Sequence, residues 1–258
     1  MMQRQLWMLT GLSIAVVVTA IVLPPLPQPV DYHQFADQRT FLGIPNFGNV
    51  ASNLAILLSG IAGLRFLFLA YQLPAHKAFF SRIEYLPYWV LFLSVAAAGL
   101  GSMLYHWMPH NDYLVWDRLP IAMGVTALLA ATLAERVSPI LGVRSLPLLV
   151  MLGALSVLYW HWTEQQGNGN LNFYIVTQFY SILLILLLSV YYPSRYMHAK
   201  DIYQVIALYA AAKLAEMLDL KIYDVTNDLI SGHTIKHLLV GFAIYRLVGM
   251  LQKREFIS

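Results

Sequence analysis

Two histidines, His233 and His237, stand four residues apart with Lys236 between them, at the opening of a long apolar run beginning near Thr234. On a helix, side chains at i and i+4 share one face, a turn apart. Earlier in the chain, Ser102 and His106 show the same spacing near the end of another apolar run, and Asp117 follows eleven residues after His106. Three neutral imidazoles, two from one helix and one from another, suit a zinc ion with a fourth position open to water. All-nitrogen ligation also admits copper, nickel or iron. Zinc would lower the pKa of a bound water toward ~7 and polarise a carbonyl, which is hydrolytic chemistry. In that scheme Asp117 takes the water's proton as general base. It could instead orient a ligand imidazole or pair with Arg118. Ser102 has no neighbouring base to activate it, so its hydroxyl reads as a donor to a developing oxyanion, the alternative being a serine that only packs helices. His233 and His237 could also simply hydrogen-bond backbone or lipid headgroups at an interface.

These residues need elements that bring them to one depth. The 258-residue chain is 59% hydrophobic and 11% charged, with a mean hydropathy of +0.62. A soluble domain carries charge on about a quarter of its residues, so the composition indicates a polytopic membrane protein. Eight apolar runs are legible: Leu6–Leu23, Phe47–Tyr71, Leu86–His106, Leu114–Leu133, Leu146–Trp162, Leu171–Tyr191, Ile202–Leu220 and Thr234–Met250. Breakers such as "PPLPQP", "NDY", "QQGNGN" and "YYPSR" separate several of them. Runs this long must be helices, because only helices and closed barrels satisfy the backbone in hydrocarbon. The expected fold is therefore all-α: one transmembrane domain, with a seven-helix core over 46–250 and one extra N-terminal helix over 6–23. The run at 6–23 is longer than a signal peptide's usual apolar stretch and lacks a clear cleavage site, so it reads as a retained helix.

Lys and Arg divide unevenly between alternate loops, eleven (Arg4, Lys77 and Arg254 among them) against four, with Lys213 inside the seventh run. The excess marks the cytoplasmic side. Both termini are expected there, and Ser102, His106, Asp117, His233 and His237 then share a layer at the opposite face. Basic residues are scattered singly, which excludes a nucleic-acid groove, and the absence of Cys excludes disulfides and thiolate ligation. In the seventh run Tyr209, Lys213 and Glu216 share a face with Asp219 nearby. Lys213 and Glu216 are expected to pair, either to support the site or to fix helix register. Asn46, Asn49, Ser52 and Asn53 are expected to hydrogen-bond between helices, whereas His33, His110, His161 and His198 fall in loops or at interfaces and are not expected to be ligands.

The pattern Ser102-x3-His106-x10-Asp117, followed by His233-x3-His237 in the last run, resembles the alkaline ceramidase family. That family belongs to a superfamily of seven-helix membrane hydrolases that includes the adiponectin-receptor-like proteins. "NFGNVASN" (Asn46 to Asn53) and "WDRLP" (Trp116 to Pro120) carry the likeness further, over about Asn46 to Met250. The "GIPNF" and "SGHTIKH" wording looks like a bacterial branch. The resemblance implies a zinc-dependent amide hydrolase that splits ceramide or a related N-acyl lipid within the membrane. His106, His233 and His237 would be the ligands of one Zn²⁺, Asp117 the base and Ser102 the oxyanion stabiliser. Family members often add an acidic calcium site before the first core helix. Here Asp31 and Asp37 lack its spacing and no acid lies near Gly43, so no calcium is expected. The implied location is a bacterial inner membrane with the site on the periplasmic side and a lipid as substrate. The rival readings are a receptor with residual hydrolysis and a metal or proton transporter, which would string ionisable groups across the full membrane depth.

Overall fold

The computed structural model describes residues 2–73 and 78–257; Lys77, counted above among the cytoplasmic basic residues, lies outside them. The described residues form α1 (Met2–Val22), α2 (Phe47–Gln72), α3 (Tyr85–Trp107), α4 (Asn111–Arg136), α5 (Pro139–Gln165), α6 (Asn172–Tyr191), α7 (Ile202–Met217), α8 (Asp219–Val225) and α9 (Gly232–Gln252). No extended strand occurs among them, only two isolated bridges. Six helices, α2 to α6 and α9, are long and apolar enough to cross a membrane. The chain is an all-α integral membrane bundle.

Two of the eight expected runs differ in detail. The apolar part of α1 is the shorter stretch Trp7–Val22. It lies against α6, where the Ser13 hydroxyl meets that of Tyr180 at 2.7 Å. Most of its side chains face outward; Ile21 and Val22 are each 77% exposed, as befits an added helix outside the core. The seventh run does not continue to Leu220. Leu218 leaves helical geometry at φ −101° and ψ 19°, and α8 starts at Asp219. That leaves α7 with 16 residues, about 24 Å of rise against the ~30 Å of hydrocarbon. The break lets the polar end of α7 turn toward the site.

Helix α2 packs against α3 on one side and α9 on the other; α4 follows α3, α5 follows α4, and α7 lies along α9. Helix α6 rests on α4 and meets α7 sparsely, with hydrogen bonds across that seam from Gln178 Nε2 to Tyr209 Oη and from Tyr203 Oη to the Ser189 carbonyl, each at 2.9 Å. Gln178 sits in a π-helical turn, Val176–Tyr180, within α6.

Two close approaches set the depth of the functional residues. Pro120 lies inside α4 and has no N–H for the Trp116 carbonyl one turn earlier. That carbonyl faces Gly101 of α3, where any Cβ would overlap it. On α9, Gly241 lies one turn after His237, and a Cβ there would meet the Ala55 backbone of α2 at 2.7 Å. Gly101→Ala therefore has to push α4 away from α3. We expect it to cost about 1–3 kcal/mol as an overpacking substitution, read as a lower Tm in a thermal melt.

At the end of the bundle away from the histidines, buried charges close the loops. Glu135 accepts from Arg254 at 2.7 Å and Arg136 at 3.0 Å, Arg254 lies 3.5 Å over the Tyr196 ring, and the Tyr196 hydroxyl donates to Glu84. Glu135 is paired with both guanidiniums, as burial requires, and Glu84 is satisfied by hydroxyl donors.

Candidate metal centre

His106 ends α3 and His233 and His237 open α9, so the two helices approach each other with their imidazoles at one level. The three side chains are buried, and each offers a ring nitrogen within 4.8 Å of the other two. His106 Nε2 and His233 Nε2 are 3.2 Å apart. A tetrahedral ion with metal–nitrogen bonds of about 2.0–2.1 Å would separate two ligand nitrogens by roughly 3.4 Å, so the pair already stands close to the edge of such a tetrahedron. His237 Nε2 is buried and has no hydrogen-bond partner. An orphaned, buried acceptor facing two other imidazoles fits a shared cation and fits a purely structural cluster poorly. The expectation that these three histidines form a candidate metal site is met; the nature of the ion is not given by the donor set alone.

The sequence explains how each histidine is positioned. Ser231 is the N-cap of α9, its hydroxyl accepting from the Thr234 N–H at 3.1 Å, which starts the helix so that His233 and His237 share a face. Asp219 accepts the His233 N–H at 2.7 Å and the Ala36 N–H at 3.0 Å, tying the loop before α2 to the start of α9. The Asn-rich start of α2 makes the interhelical bonds expected of it. Asn46 donates to the His106 carbonyl at 2.9 Å, and Asn49 Oδ1 accepts from Thr234 at 3.0 Å. Ser52 lies 2.9 Å from His237 Nδ1 and itself donates to the Asn49 carbonyl at 3.1 Å. With His237 Nε2 turned to the cluster, Nδ1–H donates to Ser52, a partner of the kind that fixes tautomer and orientation in metal-ligating histidines. Ser52→Ala is expected to weaken metal affinity about 10–100-fold, measured by competition with a chromogenic chelator, with the helical content unchanged.

Ser102 and Asp117 are also buried, at 3% and 9% exposure, and the Gly101 contact brings their helices together, so the two side chains are neighbours. Asp117 lies within electrostatic range of Lys236, Arg118 and Glu216. No salt bridge joins Asp117 to Arg118 among the described residues. The Arg118 guanidinium lies instead over Trp160 at 4.3 Å and over Tyr32 and Tyr174 at 5.0 Å each. The expected pairing of Lys213 with Glu216 is present, and Glu216 takes Lys236 as well, at 2.9 Å.

Phe35 was not singled out from sequence, and Asp219 and Ser52 were singled out without the particular ligands they serve. Phe35 covers the cluster, its ring 4.6 Å from that of His106 and 5.1 Å from that of His233. Asp219 acts on the backbone of a ligand, and Ser52 on its ring. The remaining histidines sit apart from the cluster. His33 bonds Tyr105 and Asn111, each at 3.0 Å, and burial pushes its imidazole below the ordinary pKa. His161 meets Asp112 at 3.4 Å. Asp37, in the stretch inspected for calcium, is gripped by Arg39 through both carboxylate oxygens at 2.8 Å. That guanidinium holds the Asp37 carboxyl below the usual carboxylate range.

No protein-family model matches this sequence, and no curated protein is significantly similar to it.

Proposed function

We propose that this chain is an intramembrane, zinc-dependent amide hydrolase acting on ceramide or a related N-acyl lipid. The observation that carries the reading is the buried His106–His233–His237 cluster with His237 Nε2 left without a partner among the described residues, beside the buried Asp117 carboxylate. His106, His233 and His237 would hold the ion. A divalent ion in such a site supplies an activated water near neutral pH and polarises the amide carbonyl.

The chain's own groups then handle the protons. The Ser102 hydroxyl neighbours Asp117, and a hydroxyl has one proton to donate. When an Asp117 oxygen accepts the proton of the attacking water, the carboxylic acid can donate to Ser102 Oγ. The serine proton is thereby released toward the oxyanion developing on the former carbonyl oxygen. Asp117 next returns its proton to the leaving nitrogen, and the C–N bond breaks. Phe35 and the aromatic neighbours of Arg118 keep bulk water from the layer, which strengthens each of these contacts.

The excess of basic residues on alternate loops supports a cytoplasmic location for both termini and a periplasmic-facing site in a bacterial inner membrane. Ionisable groups of the spans gather at the histidine end and in the far-end network around Glu135 and do not form a file through the bundle. That distribution favours a hydrolase over a transporter. The test is elemental analysis of the purified protein together with a lipidomic screen of N-acyl lipids. About one zinc per chain and release of free fatty acid from an amide are expected. A protein free of metal yet fully active would overturn the reading.

A further inference from the structure

Lys236 is the residue that the hydrolytic scheme leaves unexplained. It lies one turn after His233 on α9, and its ammonium is 2.8 Å from His233 Nε2, the atom that faces His106 Nε2 at 3.2 Å. Its side chain is 16% exposed and that of Glu216 17%. Glu216 does not neutralise it alone, because the other oxygen of the same carboxylate takes Lys213. Two ammoniums share one anion. Arg118 adds a third buried cation, and its Nη1 has no hydrogen-bond partner. Against these three stand Asp117, Glu216 and Asp219, the last engaged by two backbone N–H groups. The layer is therefore close to neutral before any divalent ion enters, and a divalent ion leaves it two charges positive.

An ammonium has three donors and no acceptor. One donor of Lys236 goes to Glu216 and another points at His233 Nε2. When that lone pair binds a cation, the second donor loses its acceptor and faces a like charge. Such an arrangement leaves the ammonium facing the ion and favours an anion placed between the two. Glu216 and Asp219 are already engaged, and in the hydrolytic scheme Asp117 is taken up with the proton of the water, so the anion comes with the ligand.

We propose that Lys236 anchors a carboxylate carried by the substrate next to its amide, so that the site takes N-acyl amino acid lipids in preference to uncharged N-acyl alcohols. This rests on the amide-hydrolase reading and narrows its substrate class. Water gives its hydroxyl to the acyl carbon and its proton to the leaving nitrogen, as for any amide, and the products are a fatty acid and a free amino acid. Lys213 is less suited to the role, since its side chain is 36% exposed and held by Glu216.

The test uses the full-length, zinc-loaded protein in non-ionic detergent with a matched pair, N-palmitoylglycine and N-palmitoylethanolamine. The two share chain and amide and differ in carboxylate against hydroxyl. Hydrogen bonds between charged partners correspond to a preference of about tenfold to a hundredfold. We expect kcat/KM to favour the glycine conjugate by that factor, mainly through KM. Lys236→Gln should bring the ratio close to one, and Lys236→Arg should retain part of it. Lys213 still pairs with Glu216 in both variants, so folding is expected to persist, checked by the melt of the metal-loaded protein. Equal use of the two amides by the wild type overturns the proposal. So does a Lys236→Gln variant in which both rates fall while the ratio stands, which would assign the lysine to the reacting centre. A variant that loses only inhibition by added palmitate also overturns it, because the lysine would then serve the product. Should neither amide be cleaved, the hydrolase reading fails, and binding decides the anchor separately. A larger Tm increase with N-palmitoylglycine than with N-palmitoylethanolamine, abolished in Lys236→Gln, supports it; equal increases refute it.

Discussion

Purified His237→Ala protein is expected to retain less than about a tenth of an equivalent of zinc after dialysis, and to hydrolyse no amide above background. The ring it loses presents a buried Nε2 to His106 and His233 and makes no other use of that atom. Two imidazoles on different helices remain, which is one ligand short of a stable catalytic set. Loss of affinity beyond about a hundredfold is expected, since changing only a partner of a ligand already costs 10–100-fold. Metal content by mass spectrometry and the thermal melt separate this from misfolding. Added zinc should raise the wild-type Tm by mass action and leave that of His237→Ala unmoved. Retention of a full equivalent by the variant would exclude His237 as a ligand and leave the cluster without its third member.

The second large effect is expected at Asp117. Asp117→Asn keeps the size of the side chain and a partner for Ser102 but cannot take up a proton. A positioned general base contributes about 10²–10⁴ in rate, so kcat should fall by that factor while zinc content stays near one per chain. The pairing of lost turnover with kept metal distinguishes a base from a partner that merely orients a ligand ring. In the latter case zinc affinity would drop together with kcat. Unchanged turnover would remove Asp117 from the mechanism and return the proton transfer to another group.

The bundle was legible because hydrocarbon leaves the chain few choices. Runs such as Phe47–Tyr71 and Leu171–Tyr191 have no stable form in a membrane except a helix, and loop alternation then fixes which ends meet. That alternation put Ser102, His106, Asp117, His233 and His237 in one layer, and the structure places the three imidazoles within 4.8 Å through their ring nitrogens. Less visible were features that depend on a side chain's reach across the bundle. Glu216 was paired with Lys213 from helical spacing, but its second partner, Lys236, comes from another helix 20 residues on. Arg118 could have been read as the partner of Asp117 from adjacency alone, yet neighbours on a helix point about 100° apart, and Arg118 lies among Tyr32, Trp160 and Tyr174. Phe35 lies in a loop whose path no periodicity describes. The early end of α7 was missed because Leu218 is as apolar as its neighbours, and only the polar group at Lys213, Glu216 and Asp219 hinted at the turn.

His106 and His233 are 127 residues apart in sequence, and the helices bearing them meet beside α2. During synthesis α4 through α8 are made before a second imidazole exists to meet the first. An ion captured earlier would have a single nitrogen to hold it. An ion held by all three rings would therefore be acquired only once α9 is in place beside α2 and α3.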